Sequence, residues 1–189
     1  MTDHAQTELA SLSLATLAPD DPIAPNFRLY ELTRSELAVR LGVDNDFASD
    51  RELRAAVHLA REVLQRLRDA FGAFTPNSVY RSQALERRLK NKPSGWLSTS
   101  QHTQGCACDV EIVNKSTLDL AQWAAANLPD FDQIICECFD PARGPNSGWV
   151  HISLKPAGYG PNRRQTLSYI RDPAAGQMVY VDGLRASVA

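Results

Sequence analysis

Near the middle of the chain lies the sequence SQHTQGCACD, which runs from Ser100 to Asp109. Within it, His102, Gly105 and Asp109 form the pattern His-x-x-Gly-x-x-x-Asp. A glycine at this point permits a reversal of the chain, so a loop histidine can fold over the start of the following strand. Side chains alternate along a strand, which puts Ala107 and Asp109 on one face and the two cysteines on the other. The pattern therefore predicts that His102 and Asp109 approach each other.

A second histidine, His151, lies in the sequence WVHIS at residues 149–153. Imidazole nitrogen and carboxylate oxygen both bind Zn²⁺ at about 2.0–2.2 Å, and a catalytic zinc takes three protein ligands and keeps one position for water. The candidate ligands are His102, Asp109 and His151. A histidine that precedes an aspartate by this spacing is also typical of a structural pair, so the spacing alone leaves both interpretations open.

The composition is that of a globular protein with one core. The chain has 189 residues, of which 43% are hydrophobic and 22% charged, and these values argue against disorder and against a membrane protein. With 20 basic and 22 acidic side chains the formal net charge is -2, so no overall positive field attracts nucleic acid. No Lys or Arg precedes Arg28, and neither a secretion signal nor a spanning helix is evident. We therefore expect a chain made in the cytoplasm without a signal peptide, with no nucleic-acid partner and no membrane insertion.

The chain divides into a flexible N-terminal arm at residues 1–26 and a single domain at residues 27–189. The arm ends in the Pro- and Asp-rich run Pro19–Pro25, which cannot continue a helix. Glycine and proline between the later strands indicate tight antiparallel turns. The predicted fold class is therefore α+β, with an antiparallel sheet and helices packed on one side. Thr33 or Ser35 could cap a short helix that ends at Leu41, and Asp50 is the predicted cap of a longer helix that ends at Phe71. Further helices are predicted at residues 83–90 and 118–127, and strands at 75–80, 107–113, 131–138, 149–154, 166–170 and 178–181.

Four segments occur in the order and with the gaps of one known family. They are NSVYRS at residues 77–82, SQHTQGCACD at 100–109, FDQ at 131–133 and WVHIS at 149–153. With these segments the chain resembles the zinc D-alanyl-D-alanine carboxypeptidases, a family that also contains phage cell-wall endopeptidases and shares its fold with the Hedgehog signalling domain. The resemblance covers roughly residues 27–170.

The resemblance implies a set of site residues. His102, Asp109 and His151 would hold one Zn²⁺, and Arg81 would hold a carboxylate or carbonyl oxygen of the substrate. Arginine suits this role because its fork of donors matches a carboxylate or a developing oxyanion. Pairing of Arg81 with a protein carboxylate is the structural alternative. Further candidate substrate-binding residues are Ser82 and Ser100, beside the motif positions, and Tyr80 and Trp149, as pocket walls.

The general base departs from the family pattern. Many members have an acidic residue three positions before the last zinc histidine, where this chain has Gly148. The candidate base is instead Glu137, which looks like the strand-borne acidic position of a phage-associated branch of the family. If residues 132–138 and 149–154 pair as a hairpin, Glu137 and His151 have equal parity and share one face of the sheet. A solvent-facing Glu137 without a catalytic role is the alternative.

The four cysteines form two Cys-x-Cys pairs, Cys106 with Cys108 and Cys136 with Cys138. Four thiolates from adjacent strands could form a structural zinc site, but closed zinc sites usually use Cys-x-x-Cys pairs. The residue between the second pair is Glu137, on the expected active face, so the cysteines are predicted to point into the apolar layer behind it. We expect reduced cysteines that serve packing.

Together these features predict a zinc metallopeptidase that hydrolyses an amide bond in the peptide stem or cross-link of bacterial peptidoglycan. Both a carboxypeptidase and an endopeptidase fit the residues. The chain resembles a phage lysis protein or a peptidase carried in a virion, which would meet the cell wall from the particle or at lysis, and a bacterial origin stays open. The alternative is a non-catalytic zinc-containing module of the same fold, with residues 1–26 as its docking segment for a virion or another assembly.

Overall fold

The central element of the fold is a five-stranded sheet. The computed structural model of the chain describes the backbone of residues 3–187 and the side chains of residues 7–187. Two short strands, β1 (Pro22–Ala24) and β2 (Phe27–Arg28), pair with each other outside the main sheet. The main sheet consists of β3 (Ala107–Val110), β4 (Gln133–Glu137), β5 (Trp149–Ser153), β6 (Gln165–Arg171) and β7 (Met178–Asp182), in the order β3-β5-β4-β6-β7.

The sheet is mixed, which corrects the prediction of an antiparallel sheet. β4 pairs with β5 in antiparallel fashion, but β6 runs parallel to β4 on its other side. Residues 154–164 connect β5 to β6. They pass the start of β4 instead of forming a tight turn, and β6 joins the sheet on the side of β4 opposite β5. The carboxylate of Asp132 holds both ends of this connection, through Lys155 Nζ at 2.9 Å and the backbone N–H of Arg163 at 3.0 Å.

Except for α1, which lies in the segment predicted as a flexible arm, the helices form where caps and apolar spacing predict them. They are α1 (Asp3–Ser11), α2 (Glu36–Leu41), α3 (Asp50–Leu59), α4 (Gln65–Phe71), α5 (Gln83–Leu89) and α6 (Thr117–Asn127). Ser35 caps α2 by accepting the Ala38 N–H, and Ser49, rather than Asp50, caps α3. A π-helical segment, Ala60–Leu64, joins α3 to α4 in one continuous rod. Within the described part of the chain, no helix has both the length and the apolar character needed to cross a membrane.

One hydrophobic core fills the space between the sheet and the helices. Helix α6 lies against β4 and β5, and α3 lies against β3. Alternate strand residues such as Cys108, Val150 and Ile152 are buried in this core. The residues between them, Asp109 and His151, point to the opposite face, which we call the front face. The helices thus cover one side of the sheet, as predicted, and the front face is left for the site.

Parts of residues 7–26 pack on the domain, where the sequence predicted a flexible arm at residues 1–26. Leu9 on α1 and Ile23 on β1 belong to the hydrophobic core. Arg61 connects both parts of the segment, because its Nη2 lies 3.0 Å from the Glu8 carboxylate and its Nε donates to the Ile23 carbonyl at 2.8 Å. The prediction missed this packing since a few separated apolar residues among small polar ones show no helical period.

Residues 75–80 also differ from the prediction, which made them a strand. They form one isolated β-bridge with β3, between Ser78 and Asp109. In it the Asp109 N–H donates to the Ser78 carbonyl at 2.8 Å, and the Asn77 N–H donates to the Asp109 carbonyl at 2.8 Å. This short bridge aligns the segment with the end of β3. It thereby brings Arg81 beside Asp109 on the front face.

Candidate metal and active site

Three side chains from separate parts of the chain converge on one point. His102 Nε2 lies 3.2 Å from Asp109 Oδ1 and 3.2 Å from His151 Nδ1, and the distance from His151 Nδ1 to Asp109 Oδ1 is 3.1 Å. All three residues are buried. Among residues 7–187, they are the one group of three or more His, Cys, Asp or Glu side chains with metal-ligand spacing. We call them the ligand cluster.

Sheet register and a close backbone approach explain this convergence. Asp109 on β3 is the direct partner of His151 on β5, so their side chains project side by side. His102 lies on a 3₁₀ turn that ends at Gly105, whose φ is 71°. A Cβ on Gly105 would lie 2.3 Å from the backbone oxygen of Glu52 on α3. Only glycine therefore lets the histidine turn sit this close to the helix.

The second ring nitrogen of His102 fixes its tautomer. Its Nδ1 lies 2.7 Å from the Val79 carbonyl oxygen, which can only accept, so Nδ1 carries the proton and Nε2 presents its lone pair to the cluster. Burial lowers the pKa of His102, which keeps the ring neutral. Two imidazoles and one carboxylate are donors that zinc binds.

Arg81 lies beside the cluster and contacts two protein carboxylates. Its Nη1 donates to Asp109 Oδ2 at 3.1 Å, and its Nε forms a 2.8 Å ion pair with Glu86 Oε1 that lacks hydrogen-bond geometry. Glu86 is only 1% exposed. Burial alone would raise the pKa of Glu86, but Lys90, Arg81 and Ser98 outweigh burial and lower it. The structure thus shows the protein-carboxylate pairing of Arg81, while part of its side chain still lines the site.

Glu137 lies on the front face, as its parity predicts. On β4, Glu137 pairs with Trp149 and Ile135 pairs with His151, so Glu137 is one side-chain row from His151, roughly 6.7 Å along the strands. Burial raises the pKa of Glu137, while the charges of His151 and Arg81 and a hydrogen bond from the Trp149 side chain oppose this rise. The indole of Trp149 therefore orients a carboxylate held in a partly desolvated place.

The backbone at Gly148 explains why no acidic residue lies there. Its φ is 73°, and a Cβ would lie only 2.0 Å from the backbone oxygen of Glu137. The turn into β5 passes directly over the end of β4, so any side chain at position 148 would collide with main-chain atoms. Within residues 7–187, Glu137 and Asp109 are the acidic residues that line the cleft around the cluster.

Comparison with known proteins agrees with this geometry. Residues 25–153, about two thirds of the chain, match the family described as Peptidase M15. The chain belongs to the peptidase M15 family. The match confirms the resemblance at the level of the family. M15 peptidases are zinc-dependent metallopeptidases, and the ligand cluster has the spacing needed to hold a metal ion. Comparisons with curated proteins and with solved structures give no match.

The ligand cluster of this M15 peptidase opens into a cleft of about 740 Å³. The cleft runs over the front face of β4 and β5. Most residues predicted for the site lie in it. They are Arg81, Ser100, His102, Asp109, Glu137, Trp149 and His151.

Two predicted substrate-binding residues of the peptidase lie away from the cleft. Tyr80, predicted as a pocket wall, is buried and packs on Phe47 with the ring centroids 4.7 Å apart. Ser82 caps α5, because its hydroxyl accepts the Leu85 N–H at 3.1 Å and donates to the Asp44 carbonyl at 2.8 Å. Both residues adjoin Arg81 in sequence, but their side chains point into the fold.

Other cleft residues of the peptidase were not predicted from its sequence. They include Gln101, Gln133, Ile135, Lys155, Arg163 and Tyr180. Strand parity was a usable signal for Gln133 and Ile135, since both alternate with the buried positions of β4. The last three residues follow β5, and their place in the cleft depends on the parallel return of β6.

The cysteines lie behind the site of the peptidase. Cys108 and Cys136 belong to the hydrophobic core, as predicted, and all four cysteines are free thiols. Burial raises the pKa of Cys106 and of Cys136 to about 12, so these two residues stay protonated. In the described residues no group of cysteines has metal-ligand spacing.

Proposed function

We propose that this peptidase hydrolyses an amide bond in the peptide part of bacterial peptidoglycan, with one Zn²⁺ held by His102, Asp109 and His151. The triangle of donor atoms carries the proposal. Ligands about 2.1 Å from a tetrahedral zinc lie about 3.4 Å from one another, close to the 3.1–3.2 Å within this cluster. When bound, zinc supplies a water of lowered pKa and polarises the scissile carbonyl.

In this proposal, Glu137 is the general base. It accepts a proton from the attacking water and returns it to the leaving amine. Its place on the front face beside the cluster supports this role, as does the pKa that burial raises. Arg81 provides positive charge for the oxyanion that develops, and its contacts with Glu86 and Asp109 hold the guanidinium in place before the reaction.

The shape of the cleft favours an endopeptidase over a carboxypeptidase. Along β5, the lining extends from the cluster toward Trp149 and Tyr180 in one direction and toward Lys155 and Arg163 in the other. Such a cleft offers contacts to residues on both sides of the scissile bond. The mixed sheet with helices on one side fits the Hedgehog-type fold that the sequence resemblance implies.

We also infer that the peptidase acts at the cell wall as a phage lysis protein or as part of a virion. Under the alternative of a non-catalytic module, residues 1–26 were predicted as a docking segment for a virion or another assembly. Since α1 and β1 pack on the domain, an assembly partner would contact the outer surface of this segment rather than a free arm.

The proposal is tested by digestion of purified peptidoglycan. Zinc-loaded protein should release fragments with new peptide ends, identified by mass spectrometry. A chelator should stop the release and added Zn²⁺ should restore it. Bound zinc without any new peptide end would contradict the proposal and favour the non-catalytic module.

A further inference from the structure

One end of the cleft is formed by residues that follow the family match. The match ends at residue 153, and Lys155, Tyr159 and Arg163, which follow it, also line the cleft. Two of them are cationic and come from the connection between β5 and β6, at the Ser153 end of β5. Glu137 and Trp149 lie at the other end of the same strands. The cleft therefore has a distinct chemistry on each side of the ligand cluster.

The two cations converge on the buried carboxylate of Asp132. Lys155 Nζ lies 2.9 Å from Asp132 Oδ1, Arg163 Nε donates to the same oxygen at 3.0 Å, and Arg163 Nη2 contacts Oδ2. The second oxygen also accepts from Gln101 Nε2 at 2.7 Å. Gln101 directly precedes the ligand His102 in the chain, so Asp132 fixes the cationic end relative to the cluster.

This arrangement has a surplus of positive charge that reaches solvent. Two cations share one carboxylate, and Asp132 is 0% exposed, whereas the side chains of Lys155 and Arg163 are 18% and 50% exposed. The acidic residues that line the cleft are Asp109 and Glu137. Both lie on strands, at least one side-chain row from Lys155 and Arg163. An anionic group in this end of the cleft would therefore meet uncompensated charge and preoriented donors.

We propose that Lys155 and Arg163 form a subsite for a carboxylate of the substrate, so that the peptidase prefers peptides with a free carboxylate over their amidated forms. The proposal rests on the proposed function and names the substrate class. Lys155 lies four residues beyond His151 along an extended chain, about 13 Å away. The recognised carboxylate thus lies within about four extended residues of the cleaved amide.

The test measures binding of three synthetic stem peptides by calorimetry. One has free carboxylates at its D-glutamyl residue and at its C terminus, and each of the others has one of these groups amidated. Zinc-loaded Glu137→Gln protein is used so that cleavage does not compete, and mass spectrometry checks that the peptides stay intact. We expect one amidation to weaken binding about 10-fold, which identifies the carboxylate that the subsite recognises.

Variants then assign the preference to the subsite. Lys155→Gln and Arg163→Gln should each reduce the preference to less than about 3-fold. Arg164→Gln is the matched control, because its guanidinium donates to the Pro129 carbonyl and lies over the Phe131 ring, and it should keep the preference. Thermal unfolding checks each fold, and the lysine variant still tests the proposal if the arginine variant unfolds.

Several results would overturn the subsite. They are equal binding of all three peptides, no binding at millimolar concentration, or an unchanged preference in both Lys155→Gln and Arg163→Gln. Failure of the proposed function gives a different result. A protein that binds the free acid preferentially but never cleaves peptidoglycan would keep the subsite and reject the peptidase activity.

Discussion

Arg81 Nη1 donates to Oδ2 of Asp109 at 3.1 Å, while Oδ1 of the same carboxylate faces the two histidines. One carboxylate thus links the ligand cluster to the arginine that the sequence assigned to substrate. Behind the arginine lies Glu86, which also binds Lys90 Nζ at 2.8 Å and the Ser98 hydroxyl at 2.9 Å. The position of Asp109 therefore depends on a buried acid one step removed from the site.

We expect Glu86→Gln to lower both stability and activity. The variant loses the ion pairs with Arg81 and Lys90, which should reduce the free energy of unfolding by about 2 kcal/mol. A less restrained Arg81 should also reduce kcat about 10-fold. Denaturant unfolding and peptidoglycan digestion measure the two effects. Glu36→Gln, which removes an exposed pair with Arg34, should change neither quantity. Unchanged activity in Glu86→Gln would show that the arginine needs no such support.

Replacement of Glu137 should separate metal binding from catalysis. Glu137→Gln keeps the shape of the side chain and its contact with Trp149 but removes the base, so kcat should fall by a factor of about 10² to 10⁴. Zinc content, measured by elemental analysis, should stay at one ion per chain. Glu62→Gln, on the outer side of the helical rod and paired with Arg66, is the control. A fully active Glu137→Gln would mean that another group accepts the proton.

Loss of a ligand should remove the metal and the stability that it gives. In His151→Ala the cluster keeps two donors, so zinc content should fall from one ion per chain to nearly none. Zinc should then no longer raise the melting temperature, because a metal stabilises only the state that binds it. His58→Gln replaces a buried histidine outside the cluster and should retain the metal even where it lowers the melting temperature. Full zinc content in His151→Ala would reject the ligand assignment.

Much of the site could be predicted because its signals are local. The pattern around His102 and Asp109, the parity of Glu137 and His151, and the cap at Ser35 each depend on neighbours in the sequence or on simple strand alternation. Those signals place residues on faces and turns. They say little about which distant segments meet.

The missed features depend on contacts between distant segments. No local sequence pattern predicts that Arg163 binds Asp132. This ion pair forms because β6 returns parallel to β4, and it lies at one end of the cleft. Tyr80 was predicted as an aromatic pocket wall, although an aromatic side chain at such a position is as often part of the core. Its burial against Phe47 results from the bridge at Ser78, which the sequence made part of a strand.

The ion pairs of Asp132 should give the protein a specific loss of stability in acid. Burial alone would raise the pKa of Asp132, but hydrogen bonds from Arg163, Lys155 and Gln101 outweigh it and hold the pKa well below the usual range. The folded state thus has the lower pKa, so this stability is complete above the unfolded pKa of about 3.9 and is lost as the pH falls toward the folded value.

Asp132→Asn tests this dependence. At pH 7 the free energy of unfolding of the variant should be about 3 kcal/mol lower than that of the wild type. The difference should shrink as the pH falls below about 4, because the wild-type carboxyl then takes up a proton in the unfolded state but not yet in the folded state. Denaturant unfolding of both proteins in a chelator removes any contribution from zinc. Asp130→Asn, at an exposed pair with Arg164, should show a small difference at every pH. If the difference in free energy of unfolding stayed constant in acid, the lower stability of the variant would result from packing rather than from charge.

Gly148 offers a test of the proposal that the general base lies on a strand rather than at position 148. Gly148→Ala combines a φ of 73° with a Cβ placed 2.0 Å from the Glu137 oxygen. Gly42→Ala is a matched control, since Gly42 has a φ of 62° with no atom within 4 Å of its Cβ. The control should lose about 1 kcal/mol through backbone strain alone, and Gly148→Ala should lose several times more, because main-chain atoms at the end of β4 must move. That movement should displace Glu137 and lower kcat as well. Equal losses in the two variants would mean that position 148 can accept a side chain, and an acidic residue there would then remain compatible with the fold.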